Sequence, residues 1–126
     1  MPRQECKTDR RLLGTWRSDR RRTFKDWIWP PRTSAKARKR LSKQLSTIFG
    51  HLVLRYTRTR AHADFKGTTS SHKYEILGVD SNSVAIMTWD TVLDEESIYH
   101  IHFEGDRHYW ITLGRQREWF RRVDPS

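Results

Sequence analysis

The apolar residues change period at Gly50, and that change limits the fold more than any other feature of the chain. Beyond it, Leu52, Leu54 and Tyr56 alternate with Val53, Arg55 and Thr57, so successive side chains fall on opposite faces of an extended backbone. Extended patterns follow over 61–65, 74–79, 84–89, 97–104, 108–113 and 116–123. Several of the gaps are short and made of turn formers: Lys66-Gly67, Asp80-Ser81-Asn82-Ser83, Gly105-Asp106-Arg107 and Gly114-Arg115. Strands joined by so few residues pair antiparallel with their neighbours. A meander of seven or eight strands leaves two raw edges, and closing the sheet removes them. The predicted fold is therefore mainly β, a seven- or eight-stranded antiparallel barrel.

One hairpin allows its register to be tested. A three-residue loop at Gly105-Asp106-Arg107 places Phe103 opposite Tyr109, Ile101 opposite Ile111 and Tyr99 opposite Leu113. That gives one apolar face, whereas a two-residue loop mixes polar and apolar groups on both. The opposite face then carries His100, His102, Trp110 and Thr112.

Before Gly50 the period is helical. Asp19 is placed to cap a short helix with Phe24, Trp27 and Ile28 on one side, and Pro30-Pro31 must end it. A second helix is predicted from Ser34 to Phe49, with Ala37, Leu41, Leu45 and Ile48 as a docking stripe and Gly50 just past its end. Both helices are expected over an open end of the barrel. Residues 1–10 are assigned to a basic tail, and 11–126 to a single domain, a size typical of one core.

At Gly14-Thr15-Trp16 the chain resembles the G-x-W signature of lipocalins, at the mouth of a first strand as in that family. The resemblance implies an arginine from the last strand across the Trp16 ring. Arg121 or Arg122, in Trp119-Phe120-Arg121-Arg122, is positioned for it, making Gly14, Trp16, Arg121 and Arg122 a structural clasp. A guanidinium over an indole contributes about 0.5–2 kcal/mol. The helix pair between the first two strands is more similar to fatty-acid-binding proteins. As a whole the chain resembles small uncharacterised bacterial lipocalin-like domains. The family's Thr-Asp-x-Tyr motif is absent, and with Cys6 as the single cysteine no intrachain disulfide exists. That cysteine, a polar N-terminus and no apolar run of membrane-spanning length lead to the expectation of a reducing, cytoplasmic setting.

No catalytic motif stands out. The six glycines are isolated, so no phosphate-cradling loop occurs, and no serine sits in a nucleophile elbow. His100-x-His102 places two imidazoles on one face of a strand, but without the further spacing that metal motifs require. No metal and no cofactor is expected, and the reading is non-enzymatic. Its leading form is binding of a small apolar or amphipathic ligand inside the barrel, with aromatics lining it and an arginine or histidine meeting a polar head. Tyr56, Tyr74, Met87, His100, His102, Trp110 and Arg121 are the candidates.

The alternative comes from charge. Residues 1–60 carry 18 basic and 4 acidic side chains, against 7 and 11 in the remainder. A field confined to one half of a chain points to an anionic partner such as nucleic acid. Arg20, Arg21, Arg22, Lys36, Lys39, Arg40 and Lys43, with Arg55, Arg58 and Arg60, would form the footprint, and Trp27 or Trp29 would stack on bases.

Overall fold

A computed structural model describes residues 8–90 and 93–123. Its strands are β1 (Gly14–Ser18), β2 (Leu52–Tyr56), β3 (Arg60–Phe65), β4 (Thr68–Val79), β5 (Ser83–Asp90), β6 (Glu95–Glu104), β7 (His108–Leu113) and β8 (Gln116–Arg122). Two helices, α1 (Arg20–Lys25) and α2 (Ala35–Leu45), lie between β1 and β2. The eight strands form a closed barrel in sequence order, every pairing antiparallel. Cys6 lies outside the described residues.

The turns carry the backbone chemistry expected of them. Lys66 and Gly67 both have positive φ, 53° and 92°, the pairing that lets a two-residue hairpin follow the strand twist. The Asp64 carboxylate accepts the Gly67 N–H at 2.9 Å. In the 105–107 hairpin, Phe103 stands opposite Tyr109 as the three-residue loop requires. The β6–β7 ladder then stops after His102↔Trp110, so the expected Ile101–Ile111 and Tyr99–Leu113 pairs are not part of it. β4 begins at Thr68, well before the expected Tyr74, because Thr68 to Lys73 is polar yet pairs along the whole of β3. A register shift between Ile76 and Gly78 lets β4 bend onto β5.

Inward positions of every strand but β3 build the core: Trp16, Tyr56, Tyr74, Val84, Ile86, Ile101, Tyr109 and Phe120, joined by Leu12 just before β1, with the partly buried Ala61 of β3 packed against them. Around Trp16 the barrel is packed. Trp16 is fully buried, and its indole N–H donates to the Leu12 carbonyl at 2.8 Å. Asp9, assigned above to the tail, is buried as well. Its carboxylate takes a forked pair of bonds from Arg11 at 3.0 and 2.7 Å, which hold its pKa below the ordinary value.

The helices begin where expected but end early, α1 at Lys25 and α2 at Leu45 rather than Phe49. Asp19 caps α1 by accepting the Arg22 N–H, and Ser34 caps α2 by accepting that of Ala37. α1 lies against β8, where the buried Thr23 hydroxyl accepts the Trp119 N–H and Asp26 accepts its indole N–H. α1 is a single short segment, so Ile28 falls beyond it and stands 58% exposed. Phe24, Trp27 and Phe49 instead pack edge to face in a satellite cluster. α2 has no buried residue, and the stripe expected to dock it is open at Leu41 and continues to an exposed Ile48.

Candidate functional site

The inward side chains do not fill the barrel evenly. Above the packed end lies a cavity of about 350 Å³, bordered by side chains from β2 through β8. Its walls are Leu52, Leu54 and Tyr56 of β2, Ala61 and Ala63 of β3, His72 of β4, Ile86 and Thr88 of β5, Tyr99 and Ile101 of β6, Tyr109, Ile111 and Leu113 of β7, and Glu118 and Phe120 of β8. The space exists because Ala61, Ala63 and Thr88 hold inward positions where neighbouring strands carry rings and branched chains. Cavities of roughly 300–1,000 Å³ with apolar walls and a few polar groups are the usual form of small-molecule sites.

The polar groups are few and specific. Glu118 projects inward, and one of its oxygens accepts the Ser18 hydroxyl proton at 3.2 Å. Burial raises its pKa above the usual 4.5, and the Ser18 bond only partly opposes this. Tyr56 and Tyr109 share a hydrogen bond between hydroxyls, 3.1 Å apart. Burial pushes both phenols up, so they remain neutral donors and acceptors. Tyr74 donates its hydroxyl to the Thr57 carbonyl at 2.6 Å. Among the described residues, no arginine or lysine borders the space.

The expected lining is thus only partly assembled. Tyr56 borders the cavity, and Tyr74 lies beside it in the core. Met87, His100, His102 and Trp110 occupy the alternate, outward positions of β5, β6 and β7, so they do not line it. There His102 stacks on Trp110 with ring centroids 3.9 Å apart and planes 9° from parallel, while the Arg117 guanidinium stands 4.0 Å from the Trp110 ring centroid. Burial, and then His100 and Arg117, hold His102 below its ordinary pKa, so the stacked ring is neutral at pH 7. Arg121 also points outward, one residue out of phase with the interior. Arg122 is the inward member of the pair: its guanidinium lies 4.3 Å from the Trp16 ring centroid and donates to the carbonyls of Leu13 and Arg11 at 2.7 and 2.6 Å. Gly14 opens β1 with φ 115°.

Two interior groups escaped the sequence reading, Glu118 and His72. Both lie in polar surroundings in the sequence, and only the strand pairing turns them inward: Ile111 stands opposite Glu118 and Ala61 opposite His72.

The basic residues are dispersed. Arg20 and Arg21 face a surface pocket beside β1, while Arg22 lies 4.2 Å from the Trp119 ring centroid. Lys36, Lys39, Arg40 and Lys43 ride on the exposed α2, and Arg60 is tied to the Ser71 hydroxyl. Arg55 and Arg58 are exposed on and just after β2. Trp27 and Trp29 are half-buried, tilted against one another at 6.5 Å. Among the described residues, no group of three or more His, Cys, Asp or Glu could hold a metal ion, and no helix is long and apolar enough to cross a membrane.

No family model, curated protein or solved structure matches this chain.

Proposed function

We propose that the protein is a lipocalin-like binder of a small apolar or amphipathic molecule held inside the barrel, with no catalytic role. The observation that carries this reading is the apolar cavity of about 350 Å³ inside a closed sheet. The G-x-W start at Gly14-Thr15-Trp16 and the Arg122 guanidinium over Trp16 support the lipocalin likeness. Water in the cavity finds few partners among leucine, isoleucine and alanine walls, so an apolar molecule that displaces it gains at about 25 cal/mol per Å² buried.

The polar end of the ligand meets Glu118, His72 or the Tyr56–Tyr109 pair. With a carboxyl group in the wall and, among the described residues, no arginine or lysine bordering it, a carboxylate ligand would face the wrong charge. A neutral head, or an amine that draws the Glu118 proton, fits better.

The test is titration with a neutral environment-sensitive dye such as Nile red, followed by competition with decanol, decylamine and decanoate. The reading expects saturable one-to-one dye binding, displaced by the alcohol and the amine at concentrations at least tenfold below the carboxylate. Absence of saturable dye binding removes the interior-ligand reading. Displacement led by decanoate removes the role given to Glu118.

A further inference from the structure

Outside the barrel, four arginines from three elements border one pocket of about 500 Å³: Arg17 of β1, Arg20 and Arg21 of α1, and Arg121 of β8, with His51 and Gly50 completing the rim. Arg17 and Arg121 are directly opposed across the β1–β8 ladder. Residues so paired have Cβ atoms only about 4.5–5.5 Å apart, and like charges there are destabilising. The repulsion is not relieved internally. Among the described residues, none of the four arginines makes an ion pair. Arg17 is steered by its Nε–H, which donates to the Gly50 carbonyl at 2.9 Å. Asp19 is the one carboxylate on the rim, and it is already engaged: one oxygen caps α1 at the Arg22 N–H, and the other lies 3.8 Å from His108.

A solvated basic face spreads its charges over separate positions, as α2 does with Lys36, Lys39, Arg40 and Lys43. Here four arginines border one concavity, and guanidinium forks match phosphate oxygens in bidentate geometry. We propose that this pocket binds a compact phosphorylated anion carrying two or more phosphate charges, of the size of pyrophosphate or the phosphate chain of a nucleotide. A single small rim favours a compact anion over an extended nucleic-acid backbone, which would need contacts strung along the surface. The site lies on the outer wall, and among the described residues none borders both it and the interior cavity.

Isothermal titration of the full-length protein with pyrophosphate, inorganic phosphate and a ten-nucleotide oligothymidylate tests this. Three proteins are compared: the native chain, the double variant Arg17→Gln/Arg121→Gln, and a control, Arg40→Gln/Lys43→Gln. The proposal expects one saturable pyrophosphate site, at least tenfold tighter than phosphate and weakening as salt rises. The double variant loses at least tenfold in affinity and the control less than twofold. Without anion, the double variant has an equal or higher Tm, since it loses the opposed charges; a markedly lower Tm would contradict the repulsion on which the argument rests. No saturable pyrophosphate binding at 150 mM salt overturns the proposal. So does equal weakening by both variants, or an oligothymidylate bound more tightly than pyrophosphate with the α2 variant as damaging as the double one, the signature of a diffuse nucleic-acid surface.

Discussion

Two of the barrel's seams are short, and they are finished in opposite ways. β1 and β8 meet over three residue pairs, as do β6 and β7. The first seam is reinforced from inside and out. Arg122 covers Trp16 and bonds to the Leu13 and Arg11 carbonyls, Val123 donates to Thr15, and Asp19 donates to Trp119 under α1. The second seam is held at one end by Phe103 against Tyr109 within the barrel and by His102 on Trp110 outside it. Beyond that point Tyr99, Ile101, Ile111 and Leu113 border the cavity instead of continuing the ladder. One seam is reinforced on both sides, and the other ends where the cavity begins. The Trp16 seam carries the bonds that fasten the barrel, while the cavity opens along the other.

Trp16→Ala attacks the sealed seam most severely. Removing a fully buried indole that packs on Tyr109 at 4.7 Å is expected to cost about 3–5 kcal/mol in urea denaturation. Arg122→Leu follows at about 1.5–3 kcal/mol, since it strips two backbone carbonyls of a charged donor. A loss under about 0.5 kcal/mol for either would mean that this end does not fasten the barrel.

Filling the open region should behave differently. Ala63→Ile adds bulk to the cavity wall and is expected to lower dye affinity at least tenfold, about 1.4 kcal/mol, while stability moves by less than about 1 kcal/mol. Overpacking of an already filled interior would instead cost stability and sharpen nothing. Hydrogen exchange compares the seams directly. The β6-facing amides within 111–113 should exchange at least tenfold faster than those that close β1 on β8, Val123 and Asp19. Equal protection would erase the distinction.

The smallest effect concerns charge. Because burial raises the Glu118 pKa above 4.5, its ionisation opposes folding. Stability from the protonated form is complete below the unfolded value and is lost as pH rises through the folded one. Glu118→Gln should remove this decline, so the variant gains on the native protein as pH rises from about 4.5 towards neutrality. A gain that grows as pH falls would contradict the assignment.

The strands were readable where inward positions are apolar, as in Leu52, Leu54 and Tyr56, and the three-residue loop correctly set Phe103 against Tyr109. The front half of β4 was not, because Thr68 to Lys73 draws its stability from pairing with β3 rather than from apolar alternation. The cavity was invisible for a related reason. It is made by missing bulk at Ala61, Ala63 and Thr88, and alternation says which way a side chain points but not which side chains stand level across a closed sheet. The phase of Arg121 and Arg122 depended on a register that only the β1–β8 pairing supplies.

Xenon, a small apolar probe that enters dry voids, tests the uneven interior most directly. In methyl NMR under xenon pressure, Ile86, Ile101 and Ile111 should shift in a saturable way, while Val84, in the packed core and off the cavity wall, stays nearly still. Silent isoleucines, or Val84 shifting as far as they do, would contradict a barrel packed at one end and hollow at the other.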